Sequence, residues 1–569
     1  MNCKSAYLNE EFKEDILNII NETDDLYEAL NENNIYDYHY CLNYLRENLF
    51  LWYPFKENGS LLEIGAGCGQ LTNLFCEKLN KVVSVEIDDV LVEIIKKRCT
   101  SDNLTVLRNE FSDIETEEKF DYIVLCDIFE YVKHFSMRKN PYADYLSYLK
   151  RFLKDDGVIL IAISNRLGLK YFAGFQEEHL GRYFVGIDDY PNVDFVRTFS
   201  KTELEDLITS VGFTNYKFFY PFPDHRFPDV ISTDDFINKI PYARLPVYFD
   251  KRSRFFREHK LNQKLAKDNI SQYFSNSFLL EIRNNDEKRD TDDLKYLKLS
   301  PNRNKEFRTI TSIHLEDDKL DVTKIPISPD SINHLKNMHE ACEYNFGKIK
   351  FLDNSFDGER FTYPFIENEN LEKYLIDAII ANDKDEFYRL LEYFYNALFY
   401  ESYVSKDYAK GEFLEVFKTP SDIAFHCHDI ANIDVIFSNL FIIDDELVTI
   451  DYEWFFKFPI PLEYIFYRVI RHHNVTNPLF KDFASIEDIF IYFDLDVENM
   501  ALFKEWELNF AGYVYSNLIR PKVENIPRRS IQKIDDIESI NKEMLSMKHS
   551  HSWKITKPLR KVISLIKRR

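Results

Sequence analysis

Four of the chain's 14 glycines fall within eleven residues, Gly59, Gly65, Gly67 and Gly69, around and directly behind the apolar run Leu61-Leu-Glu-Ile64. A chain this poor in glycine that gathers it behind a strand needs its main chain close to something there. Glycine has no Cβ, so it reaches positive φ and lets a ligand approach the backbone. The pattern therefore predicts a strand, a tight glycine turn and a helix, with Glu63 adding a carboxylate at the strand end. The group it suits is a nucleotide-like ligand.

The residues that follow extend this unit into a sheet. Short apolar runs at 61–64, 82–85, 104–107, 122–125, 158–163 and 217–220 alternate with amphipathic stretches such as 91–98 and 142–153. Strands that alternate with helices predict an α/β, mostly parallel, doubly wound sheet over 56–225. Ahead of it, apolar positions at helical spacing (Phe12, Ile16, Ile19, Ile20) make 1–55 a helical cap. A proline- and charge-rich stretch, 226–276, reads as a linker. A second pattern occupies 277–525: strand-like runs near 296–299, 307–313 and 320–325, then mostly helices from 331 onward. That order predicts an α+β domain with a small β lobe and a larger α lobe. Residues 526–569 form a helical, basic tail.

Composition removes several function classes. With 569 residues, 45% hydrophobic, the chain can build two or three sizeable cores. A net charge of −24 argues against general nucleic-acid binding, which needs basic surface. The eight cysteines show no zinc-ligand spacing and read as reduced core residues, and His426-Cys-His-Asp429 is too tightly spaced for one tetrahedral site. The N-terminus lacks an apolar signal core and no run is long enough to span a bilayer, so the protein is expected in the cytoplasm.

The order of landmarks narrows the ligand. The turn reads Glu63-Ile-Gly65-Ala-Gly67-Cys-Gly69, without the G-x-x-G step that leads a pyrophosphate to a helix. Glu86-Ile87 ends the second strand, where a carboxylate meets a ribose diol; Asn109-Glu110 follows the third, and Asp127 the fourth. Leu153-Lys-Asp-Asp-Gly157 then turns into the fifth. This set resembles the class I methyltransferases that use S-adenosylmethionine (SAM). The resemblance implies a Rossmann-like fold, with SAM held by Glu63, Gly65, Gly67, Gly69, Glu86, Ile87, Asn109, Glu110 and Asp127.

The segments Ser164-Asn-Arg-Leu-Gly168, His179-Leu-Gly-Arg182 and Arg197-Thr-Phe-Ser-Lys-Thr-Glu203 look like a methyltransferase subfamily linked to bacterial surface polysaccharides, whose N-terminal cap is matched by His39 and Arg46. His179, Arg182 and Arg197 are candidate contacts for an anionic or sugar acceptor, and His179 or Asp127 the candidate base for a hydroxyl acceptor.

In the second half, Asp434 and Asn439 stand at D-x4-N spacing and Asp451 follows twelve residues later. Kinase-like phosphotransferases need one Asp to orient the hydroxyl, and an Asn and a second Asp to hold Mg²⁺. With Lys324 upstream, Glu340 or Glu343 as its partner and 362–367 as a hinge, this half resembles the aminoglycoside- and choline-kinase-like group. That implies ATP and Mg²⁺, with Lys324 on the nucleotide, Asp434 catalytic, and Asn439 and Asp451 on the metal. Two departures stand out: the loop 299–305 lacks glycine, and Asn432 replaces the usual His.

The pairing of the two halves is similar to the bifunctional methyltransferase/kinase that terminates O-antigen chains. It implies a glycan or glycolipid acceptor, and other glycan-synthesis proteins as partners. The alternative is a membrane-tethered scaffold with a degenerate kinase-like half. In the tail, Trp553, Ile555, Leu559, Val562, Ile563 and Ile566 face away from lysines and arginines, so 548–569 reads as a basic amphipathic segment for an anionic membrane surface.

Overall fold

The computed structural model describes residues 9–23, 26, 29–30, 36–136, 138–242, 255–300, 302–515 and 546–547. The expected membrane-binding segment 548–569 lies outside the described residues. Among those described, no helix is long and apolar enough to cross a membrane.

The first strands are β1 (Ser60–Ile64), β2 (Lys81–Glu86), β3 (Leu104–Arg108), β4 (Phe120–Cys126), β5 (Leu153–Ser164), β6 (Asn215–Phe222), β7 (Val230–Thr233) and β8 (Ser277–Arg283). Next come β9 (Leu294–Leu299), β10 (Thr309–Glu316), β11 (Lys319–Pro326), β12 (Ile349–Phe351), β13 (Ser355–Phe356) and β14 (Phe361–Pro364). The short strands β15 (Tyr403–Ser405), β16 (Phe425–Cys427), β17 (Ala431–Asn432), β18 (Leu440–Ile443), β19 (Glu446–Thr449) and β20 (Phe455–Phe456) complete the set.

Thirteen of these form one sheet in the order β13-β14-β11-β10-β9-β7-β6-β8-β5-β4-β1-β2-β3. From β3 to β5 the pairing is parallel; from β5 outward every pair is antiparallel. Inside the edge strand β3, the parallel part is buried on both faces and its strands read as near-continuous apolar runs. Alternate residues still separate: Leu62, Ile123 and Ile161 enter one core, while Leu61, Val124 and Leu160 enter the other.

β8 belongs to this sheet. Lying at the start of the second pattern, it pairs with β5 (Ser164 opposite Ser277) and with β6 (Asn215 opposite Arg283). The stretch 226–276, read as a linker, therefore connects two members of one sheet and contributes β7. The reason is visible in β8 itself, since all seven of its residues are buried and such a strand needs a neighbour on each edge and a layer on each face. Its one carboxylate, Glu281, accepts from Tyr53 Oη at 2.7 Å and from Arg283 Nε at 2.6 Å.

Beyond β7 the sheet continues into β9–β11, β13 and β14, backed by the helix Ile332–Glu340. Helices Leu371–Ile380, Lys384–Leu398, Leu462–Thr476 and Met500–Val514 build the second core, with Trp506 fully buried. Residues 371–398 form two helices, broken at Asn382, whose φ is +54°, with Asp383 capping the second through Glu386 N.

At the N-terminus, the helix Glu10–Glu22 packs on Asp89–Arg98, where buried Lys13 meets Asp88, the residue that caps the second helix.

The central place of β8 predicts a large cost for emptying it. Leu280→Ala, at a fully buried position, should lower stability by about 2–5 kcal/mol, read as a lower denaturation midpoint. A peripheral strand would show a change of well under ~1 kcal/mol.

Candidate functional site

The glycine turn lies at the carboxyl end of the parallel strands, where open α/β sheets bind ligands. Gly65, Gly67 and Gly69 have φ of +74°, +57° and +70°. A Cβ on Gly65 would stand 3.0 Å from Ile128, and one on Gly67 3.1 Å from the Gln70 side chain. Glu86 clasps the turn from β2, accepting from Gly67 N at 3.0 Å and Ile87 N at 2.8 Å. Burial pushes its carboxyl up to about 7 despite these bonds.

Glu63 sits beneath the turn. It accepts from Thr72 Oγ1 at 2.8 Å and Ser84 Oγ at 2.6 Å, tying β1 to its helix and to β2, and burial raises it to about 7 as well. Asn109 is half-buried, its N–H donating to Glu86 O at 3.3 Å; Glu110 is exposed. Three left-handed glycines beside a carboxylate at the strand ends suit a ligand with a ribose and an amino-acid tail.

Next to the turn, Asp127 ends β4 with φ +56° and is the centre of a buried ionic cluster. Its Oδ1 accepts from His225 Nε2 at 2.7 Å and Arg226 Nη2 at 2.6 Å. Its Oδ2 accepts from Tyr40 Oη at 3.0 Å and Arg46 Nη2 at 3.2 Å. Burial alone would raise its pKa, but Arg226, His225 and Arg46 hold it well below the usual carboxylate range. A carboxylate held so firmly in its charged form is a poor proton acceptor, so the geometry does not suit Asp127 to the role of base. It remains beside the turn as an anchor.

The cluster continues outward. Arg226 also donates to Glu178 at 3.0 Å, Lys170 pairs with Glu178 and lies 3.3 Å from Asp224, and Tyr171 Oη donates to Glu178 at 2.7 Å. His179 Nδ1 lies 2.8 Å from Tyr131 Oη, and its Nε2 3.5 Å from Glu130. Burial, with Arg226 and His225 nearby, drives His179 well below its ordinary value, leaving a neutral imidazole. Burial and the charge of Asp127 raise fully buried Glu130 to about 8.

Arg182 is exposed and Arg197 is engaged by Glu203 at 2.9 Å and Asp189 at 3.2 Å, so neither joins this cluster. Sequence reading missed Glu130, Lys170, Glu178, Asp224, His225 and Arg226. The run Asp224-His225-Arg226, just after β6, was the available signal, lying where the expected sheet domain gives way to the supposed linker.

A second site forms in the C-terminal half. Lys324 on β11 reaches Asp451 at 3.0 Å and Glu453 at 2.5 Å. Asp434, Asp451 and Glu453 each bring one oxygen within 4.8 Å of the others. Asn439 Nδ2 donates to Asp434 O at 3.0 Å. Burial and the charge of Asp451 raise Asp434 to about 7. Clustered carboxylate oxygens suit a hard cation such as Mg²⁺. The pairing of Lys324 with Glu340 or Glu343 does not form: Glu340 pairs with Lys457, Glu343 is exposed, and Glu453 takes Lys324 instead. In the 426–429 run, His426 binds Glu463 and His428 binds Leu398 O, so the two imidazoles serve separate partners.

Residues 36–217 match a family model described as a methyltransferase domain. Among curated proteins, the malonyl-[acyl-carrier protein] O-methyltransferase of Priestia megaterium is 28% identical over 95 residues, 16% of this chain and 33% of that protein. The ribosomal RNA small subunit methyltransferase A of Mycoplasmopsis pulmonis is 33% identical over 76 residues, 13% and 30% of the two chains. An uncharacterised methyltransferase of Staphylococcus carnosus is 30% identical over 149 residues, 26% and 66%. The chain thus spans about a third of the first two relatives and about two thirds of the third.

Solved structures with some similarity include the plantazolicin methyltransferase in complex with SAH (14% identity, TM-score 0.28, 50% of this chain and 93% of that one). Another is a SAM-dependent methyltransferase from Thermotoga maritima (18%, TM-score 0.27, 46% and 99%). On the family model and the curated relatives, the chain carries a class I SAM-dependent methyltransferase domain.

Glu63 sets a pH dependence whose sign follows from its surroundings. Between about pH 4.5 and 7 the folded protein keeps a proton that the unfolded chain has lost, so this group's contribution to stability falls as pH rises and levels off above 7. Glu63→Gln should flatten that part of the profile, measured as denaturant midpoints at about pH 5 and about pH 8.

Proposed function

We propose that this protein transfers a methyl group from SAM to an oxygen of a sugar or sugar-phosphate in bacterial cell-surface polysaccharide synthesis, and that its C-terminal half is a kinase-like domain. The observation that carries the methyl-transfer reading is the trio of left-handed glycines clasped by Glu86 at the carboxyl end of the parallel strands. The acceptor class is supported by the sequence resemblance of 164–203.

SAM supplies an electrophilic methyl on a sulfonium. The protein's part is to hold the acceptor oxygen in line with it, which is a matter of orientation more than of acid–base chemistry. As the oxygen bonds to the methyl carbon, the carbon–sulfur bond breaks and its electrons return to sulfur. A phosphate oxygen carries no proton to lose, whereas a hydroxyl must give one up. Asp127 is committed to four donors and His179 is a weakly basic buried imidazole, so the surroundings favour the phosphate acceptor.

Lys324, Asp434, Asn439 and Asp451 support the kinase-like reading: Lys324 toward the nucleotide phosphates, Asp434 toward the accepting hydroxyl, Asn439 and Asp451 toward Mg²⁺. Phosphorylation of a terminal sugar would then supply the methyl acceptor. The scaffold reading is favoured by the glycine-free loop 299–305 and by Asn432 in place of the usual His. We place the protein in the cytoplasm, held at an anionic membrane through 548–569.

Calorimetric titration should show SAM binding that Gly67→Asp weakens by at least about tenfold, because the new side chain adds strain at positive φ and a charge beside Glu86. Absence of binding by the unaltered protein would sink the methyltransferase reading. Mg²⁺-dependent ATP turnover lost in Asp451→Ala would rule out a purely scaffolding C-terminal half.

A further inference from the structure

The C-terminal site holds a second cation that the kinase-like pattern does not assign. Arg303 lies in the loop between β9 and β10, the position at which a kinase-like fold covers the nucleotide phosphates with glycine-rich main chain. This loop has no glycine to let its main chain come close to a phosphate. Arg303 instead turns inward. Its Nη2 donates to Glu453 Oε2 at 2.5 Å, its guanidinium packs over the Trp454 ring at 5.4 Å, and its charge is felt by Asp434 and Asp451. The loop is pinned: Asn304 N donates to Val514 O at 2.8 Å and Asn304 Nδ2 to Tyr513 O at 2.6 Å.

Glu453 is the common partner. One of its oxygens meets Arg303 and the other meets Lys324 at 2.5 Å. Helix Ile332–Glu340 brings His334 to this region, packed on Trp454 and Phe307, with a buried Nε2 that has no hydrogen-bond partner; its Glu340 is spent on Lys457. The two cations are thus set side by side by one carboxylate, with no help from that helix. A nucleoside triphosphate carrying one divalent ion keeps about two negative charges, and two cations held next to each other by a shared carboxylate can both face them. A guanidinium also offers two parallel N–H groups to a phosphate, which an ammonium does not.

We infer that Arg303 and Lys324, bridged by Glu453, form a two-cation cradle for the phosphates of a nucleoside triphosphate, the guanidinium replacing the glycine-rich loop. This rests on the kinase-like reading above.

The test is calorimetric titration of the full chain with a non-hydrolysable ATP analogue plus Mg²⁺ and, separately, with adenosine. Arg303→Ala and Lys324→Ala should each weaken the analogue by about tenfold or more while leaving adenosine affinity unchanged, as expected for lost charge-assisted phosphate contacts. Arg303→Lys, which retains the charge, should recover part of the loss and serves if the alanine variant does not fold. Glu453→Gln should weaken the analogue without abolishing it. If the unaltered protein binds the analogue and Arg303→Ala or Arg303→Lys binds it equally well, the cradle is wrong and the kinase-like reading stands. If the unaltered protein binds no analogue, both fall.

Discussion

Asp127, directly after β4, accepts four hydrogen bonds from two other parts of the chain: the N-terminal cap (Tyr40, Arg46) and the segment after β6 (His225, Arg226). Burying so many charges costs several kcal/mol per ion before any pairing is counted, and the bonds to Asp127 offset part of it, with Arg46 Nε and Nη1 and His225 Nδ1 left without partners. The cap, the sheet edge and the post-β6 segment must therefore dock together. Removing one partner would leave the others charged and dry, so the cluster specifies one arrangement of the wall beside the glycine turn. Its outer members, Lys170, Glu178 and Asp224, extend the same demand to the insert that follows β5.

The sheet carries a related constraint. β8 enters between β5 and β6, and β6 pairs with β7, which pairs with β9 of the C-terminal lobe. The two candidate sites therefore share one hydrogen-bonded sheet. The segment that supplies His225 and Arg226 to the first site leads directly into β7 and so to β9, whose end opens the loop carrying Arg303. This is a continuous physical connection.

Much of the fold was legible. All six apolar runs read over 61–220 are strands; in β1, β2, β4 and most of β5, burial on both faces leaves a run of apolar residues that few polar ones interrupt. The glycine turn was legible because left-handed φ at three positions leaves few residue choices. Spacing singled out Asp434, Asn439 and Asp451, and the kinase-like resemblance singled out Lys324; Lys324 reaches Asp451, and Asp434 lies in the same carboxylate cluster. The membership of β8 was not legible, since an apolar strand announces burial but not its neighbours. Nor was the role of Glu453: a carboxylate two residues beyond Asp451 looks like any other acid in an acid-rich chain until Lys324 and Arg303 arrive beside it.

By itself the sequence determined what is local: strand positions, the glycine turn, and the caps that start helices at Asp88, Ser200 and Asn370. These depend on residues within a few positions of one another, and pattern records them directly. The tertiary structure alone decided which charges meet. Asp127 finds His225 and Arg226 across 98 and 99 positions, and Lys324 finds Glu453 across 129. No periodicity encodes such pairs. They follow from where strands bring the chain back, and from the cost of leaving a buried ion without a partner.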